Sequence, residues 1–256
     1  MQVMQVKIVS VKGLKRQKNS KYIISYGGGV NSTAMMIFLI ENKYPIDAVI
    51  FSDTGGERPE TYEYLKHAKK YLKKHDITFV QVMNFGKQSL YDKSMRRKVI
   101  PSTLWRWCTR DFKITPIYRY YRNQNAHVYQ YVGIAYDEIH RMKDPKADYV
   151  TNIFPLVDFG IDREQCIQII KNAKLPIPIK SGCYFCPFMG MEYWNDLYKK
   201  HPELYKKARI MEENSKHFPE QRLTPLTLGV LERNFKKGKL PMMENIENPC
   251  GNECMT

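Results

Sequence analysis

A glycine-rich turn between a short and a long apolar run dominates the start of this 256-residue chain. Residues 22–24 are predicted as a buried strand and residues 34–40 as a buried helix, from the length of each run. The connecting segment, residues 25–33, reads Ser-Tyr-Gly-Gly-Gly-Val-Asn-Ser-Thr. Consecutive glycines let a backbone approach a ligand closely, and a helix N-terminus favours oxyanions. The pattern predicts a strand–turn–helix unit, with a phosphate site or with no ligand.

A second strand, at residues 48–51, runs into a second glycine-containing turn at residues 52–57. Pro59 suits the first position of a helix, and apolar side chains then recur at helical spacing opposite a lysine-rich face. Residues 77–82 are predicted as a third strand. Strands alternating with helices indicate an α/β fold with a doubly wound, mostly parallel sheet. Ligands bind such sheets at the carboxyl ends of the strands, where both turns lie.

Composition and length divide the chain into three predicted parts. Residues 1–20 form a basic N-terminal extension, with an edge strand at residues 3–11. Residues 21–160 form the α/β core. Residues 161–256 form a helical, cysteine-bearing region whose end, from residue 218, is predicted to be irregular because Pro, Gly and Lys are frequent there. The 43% of hydrophobic residues suffices for one large domain or for a core with a small appendage.

Six cysteines are present. Because neither a signal peptide nor an apolar run of membrane length accompanies them, we expect a cytoplasmic protein without a membrane partner, whose clustered cysteines serve metal binding or catalysis. Cys183 and Cys186 form a C-x-x-C pair before Pro187, which suits zinc or an iron–sulfur cluster. Cys108 is the natural third ligand if the fold brings it near. Cys166 falls on a predicted amphipathic helix, where a buried thiol is expected.

In their order along the chain, the motifs resemble those of the PP-loop adenine-nucleotide α-hydrolase superfamily. The turn at residues 27–33 is similar to that superfamily's S-G-G-x-D-S loop, with Gly27 in place of the serine and Asn31 in place of the aspartate. Segments similar to motifs of its phosphoadenosine phosphosulfate (PAPS) reductase branch lie at residues 53–61, 108–117 and 133–141. The resemblance implies a core that binds ATP or a related adenine nucleotide.

The resemblance also implies roles for individual residues. Nucleotide binding falls to residues near the strand ends: Ser25, Gly27, Gly28, Gly29, Asn31, Ser32, Thr33, Asp53, Thr54 and Gly133. Lys113 and Arg141 are expected to act in catalysis by neutralising negative charge. Mg²⁺ is the expected partner of ATP, although Asn31 is a weaker ligand for it than the usual carboxylate.

For the cysteines, the resemblance favours a [4Fe–4S] cluster on Cys108, Cys183 and Cys186, since tRNA-thiolating relatives hold a cluster with three cysteines. Zinc is the alternative. The Glu253-Cys254 pair is similar to the tail whose thiolate attacks sulfur in sulfonucleotide reductases, so Cys254 is a catalytic candidate. A fourth cluster ligand, a redox pair with Cys250, and two exposed thiols stay open as alternatives.

The net charge of +15 exceeds what a small anionic substrate requires and predicts a polyanionic partner such as tRNA or DNA. Basic and aromatic side chains alternate at residues 105–107, 118–122 and 197–207, as in surfaces that stack on bases and hold phosphates. Solvated helix faces beside a core would give the same pattern.

Three functions compete. The first is ATP-dependent adenylation of a nucleic acid with release of pyrophosphate, followed by displacement of AMP by sulfur from the cluster, with a sulfur donor protein as an expected partner. The second is reduction of a phosphosulfate by a tail thiolate that thioredoxin regenerates. The third is nucleic-acid binding by a non-catalytic protein with a structural zinc. The glycine loop and the charge favour the first, the cysteine-bearing tail favours the second, and Asn31 favours the third.

Overall fold

In the computed structural model, which describes residues 9–145 and 147–240, five parallel strands form one sheet in the order β3-β2-β1-β4-β5. The strands are β1 (Ser20–Ser25), β2 (Ala48–Ser52), β3 (Thr78–Val82), β4 (His127–Val132) and β5 (Val150–Ile153). The order reverses between β1 and β4, which makes that boundary the switch point where parallel sheets bind ligands. The predicted α/β fold is confirmed. The predicted edge strand lies mostly outside the described residues, and residues 9–11 form no strand.

Helices cover the sheet and extend beyond it. Among the described residues the α-helices are α1 (Val30–Glu41), α2 (Pro59–Lys74), α3 (Leu90–Arg97), α4 (Trp107–Thr109), α5 (Thr115–Arg122), α6 (Pro155–Asp158), α7 (Arg163–Asn172), α8 (Met191–Lys200), α9 (Pro202–Glu213) and α10 (Leu228–Lys236). A π-helical turn, Arg110–Ile114, joins α4 to α5, and a 3₁₀ segment, Tyr136–Arg141, follows β4. None of the helices in this part of the chain has the length and apolar composition that crossing a membrane demands.

Strand side chains alternate between two apolar layers. On one face, Tyr22 and Ile24 of β1 pack in a cluster that includes residues of α1, α2 and α7. On the other face, Ile23 of the same strand packs with Tyr121 of α5. Successive strand residues point to opposite faces, so each face of a buried parallel sheet needs its own helices. The sheet is therefore doubly wound.

A separate apolar cluster holds the C-terminal helices together. It joins α8, α9 and α10 to the cysteine-bearing segment and to α3. The sequence predicts an irregular tail from residue 218, and this prediction is wrong for α10. The Thr227 side chain caps its first turn, and Leu228, Leu231 and Phe235 are buried along one face. Pro219 and Pro225 precede this helix and Gly238 follows it, whereas Gly229 and Lys236 lie within it.

Glu212 fastens the loop before α10 to α9. Its carboxylate accepts the backbone N–H of Leu223 at 2.9 Å and that of Leu228 at 2.7 Å. The side chain is fully buried, and this burial raises the pKa of Glu212. Both N–H groups are buried, so the carboxylate is the acceptor they need.

Replacing this acceptor should destabilise the protein. We expect Glu212→Ala to lower the free energy of unfolding by about 2–4 kcal/mol, because two buried N–H groups lose their partner. Glu213→Ala is the matched control, since it removes only a surface pair with Arg209 and should cost less than about 1 kcal/mol. Urea denaturation measures both, and equal effects would show that the buried contact does not form.

Candidate active site

The glycine turn lies where β1 ends and α1 begins. Gly28 adopts φ +74°, a left-handed conformation that favours glycine. Gly29 is the extended N-cap of α1, and among the described residues no side chain caps this helix end. The Ser32 hydroxyl instead donates to the Gly29 carbonyl at 3.1 Å and accepts the Gly27 N–H at 3.3 Å. The first N–H groups of α1 are therefore left to a ligand or to water.

The end of β4 packs directly against this turn. A Cβ atom on Gly133 would lie 2.8 Å from Ser32 Cα and 2.9 Å from Ser32 N. These distances are shorter than real carbon contacts, and the neighbouring atoms are backbone. Gly133 is thus needed for the close approach of β4 to α1 at the switch point.

A π-helical turn carries Lys113 to the same edge. The Ser52 hydroxyl, at the end of β2, donates to the Phe112 carbonyl at 2.6 Å and ties this turn to the sheet. Such turns are frequent at functional sites because they redirect side chains within a helix. Here Lys113 and Cys108 both line one cavity.

The C-x-x-C segment docks on the loop that follows β2. Cys183 pairs with Glu57 through an antiparallel bridge, and the Tyr184 N–H donates to the Gly56 carbonyl at 2.9 Å. Cys183 Sγ lies 3.2 Å from Thr54 Oγ1 and 3.7 Å from Glu57 Oε1. Residues far apart in sequence therefore meet at the carboxyl edge of the sheet.

Burial dominates the electrostatics of these groups. It raises the pKa of the Glu57 carboxyl and of the Cys108 thiol. It also raises the pKa of Cys183 well above its usual value, and the neighbouring Glu57 carboxylate adds to the shift, whereas Lys113 opposes it. A bound metal would reverse the preference, because metals bind thiolates and release their protons.

Two adjoining cavities open at this edge. The first, of about 310 Å³, is lined by Ser25, Gly27 and the side chains of Phe51 and Ile117, among others. The second, of about 420 Å³, brings together most of the predicted site residues: Gly29, Asn31, Ser32, Thr54, Cys108, Lys113, Gly133, Arg141, Cys183 and Cys186. Lys113 lines both cavities. Phe51 and Ile117 give the first cavity an apolar surface that a planar base can contact, although Arg110 and Lys143 line it too. The second cavity includes the N-terminus of α1, where phosphates can bind.

Three predicted nucleotide-binding residues line neither cavity. Gly28 supports the turn by its backbone conformation. The Thr33 hydroxyl points into the core, 3.0 Å from the Tyr26 hydroxyl. Asp53 accepts the Tyr62 hydroxyl at 2.7 Å and lies against α2. These three residues support the site without lining either cavity.

Cys108, Cys183 and Cys186 line the second cavity without converging on one point. In residues 9–145 and 147–240, no three His, Cys, Asp or Glu side chains come close enough together to hold a metal ion. Cys166 is fully buried in α7, as predicted. Cys254, with Cys250, lies outside the described residues, so its predicted role stays a prediction.

Asn31 belongs to a charged network. Its Nδ2 donates to Glu138 Oε2 at 2.8 Å, and its Oδ1 accepts from Arg163 Nη1 at 2.8 Å. Glu138 also pairs with Arg141 at 2.6 Å. Because the amide oxygen already accepts from a guanidinium, and Asp53 faces away from the cavities, the residues present do not fit the Mg²⁺ ion that the superfamily loop implies.

Sequence motifs single out neither Arg163 nor Glu57 as site residues. The sequence contains one signal for Arg163: the capping box of Asp162 and Gln165 marks the start of α7, which follows the last strand and the short helix α6. That position belongs to the carboxyl edge of a parallel sheet. Glu57 lies within the second glycine-containing turn, but nothing local indicates its burial against Cys183.

Comparison with known proteins identifies a family whose model matches this chain. The family model described as "Phosphoadenosine phosphosulfate reductase domain" matches residues 21–177. The uncharacterized protein MJ0973 of Methanocaldococcus jannaschii is 30% identical over 205 residues, 74% of this chain and 47% of that protein. The uncharacterized protein MJ0066 of the same organism is 21% identical over 212 residues, 77% of this chain and 42% of that protein. The chain thus spans about half the length, or less, of these curated relatives.

Two solved structures align with the chain. The U34-tRNA thiolase NcsA from Methanococcus maripaludis, described with its [4Fe-4S] cluster, aligns with a TM-score of 0.51 and 17% identity over 85% of this chain and 83% of its own. The phosphoadenylyl-sulfate reductase from Candida auris, in a phosphate complex, aligns with a TM-score of 0.47 and 18% identity over 63% of this chain and 76% of its own. At these identities the likeness concerns the fold alone.

The contact between β4 and α1 is directly testable. Gly133→Ala should lower the free energy of unfolding by about 1–3 kcal/mol, because the added methyl group overpacks a backbone contact. Gly190→Ala is the matched control, since Gly190 has φ −70° and a Cβ atom added there would have nothing within 4 Å. Thermal and urea denaturation compare the two, and equal tolerance would contradict the close approach.

Proposed function

Because the chain belongs to the phosphoadenosine phosphosulfate reductase domain family, we propose that it is an enzyme that uses ATP to replace an oxygen of a nucleic acid with sulfur. The observation that carries the proposal is the second cavity. The N-terminus of α1, the cations Lys113 and Arg141, and three cysteines all line it. Anion binding, charge neutralisation and sulfur chemistry are thus combined in one place.

The proposed reaction has two steps. A substrate oxygen attacks the α-phosphate of ATP, pyrophosphate leaves, and the oxygen becomes adenylated. A sulfur nucleophile, supplied by a sulfur donor protein, then attacks the adenylated carbon, and AMP leaves with the oxygen. The N–H groups of the glycine turn bind the phosphates. Lys113 and Arg141 stabilise the negative charge that develops on them.

The cysteines would hold an iron–sulfur cluster, which when bound would provide an iron for the sulfur that is transferred. Thiolates suit both [4Fe–4S] clusters and zinc. Zinc requires its ligands within about 2.3 Å of one ion, whereas a cluster is wider. Cys108, Cys183 and Cys186 line one cavity, so three thiolates are available to one centre. The U34-tRNA thiolase of the same fold is described with such a cluster.

The surface around the cavities suits a nucleic acid. Leu104 is 97% exposed and Trp105 is 54% exposed, just before Arg106, which lines both cavities. An exposed tryptophan beside basic groups provides a stacking surface for an unpaired base. Further exposed lysines lie on α8 and α9.

Reduction of a phosphosulfate is the second candidate. The network around Asn31 favours it, because a phosphosulfate can be held by arginines without Mg²⁺. A cysteine thiolate, such as that of Cys254, would attack the sulfur and release the nucleotide. The dithiol of thioredoxin would then reduce the resulting S-sulfocysteine, releasing sulfite as thioredoxin becomes a disulfide.

The absorption spectrum and the metal content test whether the cysteines hold an iron–sulfur cluster or zinc. Protein purified without oxygen should be brown and absorb at about 400 nm, as thiolate-bound iron–sulfur clusters do. Cys183→Ala should remove most of the colour and the bound iron. Cys166→Ala is the control and should keep both, because Cys166 is buried in α7 away from the cavity. Colourless wild-type protein with stoichiometric zinc would favour a structural zinc site in a non-catalytic binding protein.

The salt dependence of RNA affinity tests whether the basic surface of α8 and α9 binds a nucleic acid. Four exposed lysines on α8 and α9 are replaced together by alanine: Lys199, Lys200, Lys206 and Lys207. RNA affinity should fall, and the slope of log K against log salt should flatten by about one for each lost phosphate contact. ATP affinity should not change.

The control for this experiment replaces four exposed lysines of α2: Lys69, Lys70, Lys73 and Lys74. It should preserve the salt slope, since only a specific surface is proposed to contact RNA. Release of sulfite from PAPS with thioredoxin, without ATP consumption and abolished by Cys254→Ser, would instead establish the reductase.

A further inference from the structure

We propose that this site binds the phosphates of its nucleotide through arginines and without a bridging Mg²⁺, and that Arg163 is the residue that makes this possible. The inference rests on the proposed function only in taking an adenine nucleotide as the ligand. It assigns a role to a residue outside every motif of the sequence. It also explains why the loop carries Asn31.

The first step concerns the position of Asn31. An aspartate there would place its carboxylate about 2.8 Å from Glu138, at the distance that Asn31 Nδ2 now occupies. Two carboxylates so close attract a cation, and such pairs are common ligands of divalent ions. The amide replaces this repulsion with a hydrogen bond. No cation is then needed to offset repulsion between two carboxylates at this position.

The second step concerns the oxygen of that amide. Arg163 donates to Asn31 Oδ1, which holds the amide with its nitrogen toward Glu138. A metal ion would have to displace a guanidinium to reach this oxygen, and like charges disfavour that exchange. Arg163 therefore blocks a Mg²⁺ site and supplies positive charge in its place.

The third step concerns other carboxylates at this edge. Asp53 accepts the Gly55 N–H, the Tyr62 hydroxyl and the Gln81 side chain, and it lines neither cavity. Glu57 is buried and accepts the Thr54 hydroxyl at 3.0 Å. Glu57 and Asp144 line the first cavity, but neither lines the second, where the N-terminus of α1 lies.

The fourth step is the charge of the cavity wall. Among the described residues that line the second cavity, the basic ones are Arg106, Lys113, Arg141, Arg163 and Lys180, and the acidic one is Glu138. Arg141 Nε is buried and has no hydrogen-bond partner among the described residues. A guanidinium has five N–H donors, so Arg163 can bind Asn31 and a phosphate at once. This wall neutralises phosphates without a metal.

Calorimetric titration with ATP, in EDTA and in excess MgCl₂ at equal ionic strength, tests the proposal. The wild-type Kd values in the two buffers should agree within about threefold. In EDTA, Arg163→Ala should weaken binding about tenfold or more, since a charge-assisted hydrogen bond to phosphate is lost. Arg163→Lys should recover part of this loss. Arg122→Ala, an exposed arginine at the end of α5, should have no effect.

Asn31→Asp combined with Arg163→Ala provides the opposite change, because it removes the guanidinium that blocks the site together with the amide. The new carboxylate beside Glu138 should create a divalent-cation site, so that ATP binds about tenfold more tightly with Mg²⁺ than in EDTA. Circular dichroism and thermal melting confirm that each variant is folded. Arg163 is exposed on the first turn of α7, so its replacement leaves the core intact.

Loss of wild-type ATP binding in EDTA would overturn the proposal, and so would an unchanged Kd for Arg163→Ala. If ATP binds in neither buffer, the ATP-dependent function fails, and 3′-phosphoadenosine 5′-phosphate is titrated under the same conditions. The same comparison of buffers and variants then decides the inference. Binding of neither nucleotide would overturn both.

Discussion

The buried guanidinium of Arg58 connects the two halves on which the site depends. Its side chain is 3% exposed, and it pairs with Glu60 at 3.0 Å and with Asp196 of α8 at 2.7 Å. It also lies over the Tyr193 ring at 4.7 Å. The guanidinium is buried and needs these partners, although their carboxylates are about a third exposed. Together with the bridge between Glu57 and Cys183, the contact holds the cysteine-bearing helical region against the loop after β2.

Both cavities lie where the strands end, and they differ in their lining residues. Basic side chains line both cavities, the first adds apolar side chains such as Phe51 and Ile117, and the second adds the α1 N-terminus and the thiols. Lys113 lines both, so it lies where the α-phosphate of a nucleotide would join its two halves. In both candidate reactions a bond to or beside that phosphate is broken. The arrangement therefore agrees with either candidate reaction, and the metal and the tail thiol separate them.

Local patterns predicted the parts of the structure that local physics controls. The apolar runs around the glycine turn, the alternating strands and helices, and the buried Cys166 all follow from periodicity within short segments. Asn31 and Arg163 are 132 positions apart, so no local pattern links them. Thr33 faces the core because α1 is apolar almost all round, and the sequence of such a helix does not say which side meets the ligand. The order of α10 depends on the buried Glu212, a long-range contact that composition cannot reveal.

The π-helical turn between α4 and α5 allows Cys108 and Tyr121 to be oriented independently. In a regular α-helix the direction of one would determine the direction of the other. An α-helix rotates its side chains by about 100° per residue, so the direction of Cys108 would be fixed by the register of α5 on the sheet. The additional residue in the wide turn absorbs that rotation. Tyr121 can then stay in the core while Cys108 faces the cavity. Adding or removing one residue here would therefore change which group faces the cavity without moving α5 on the sheet.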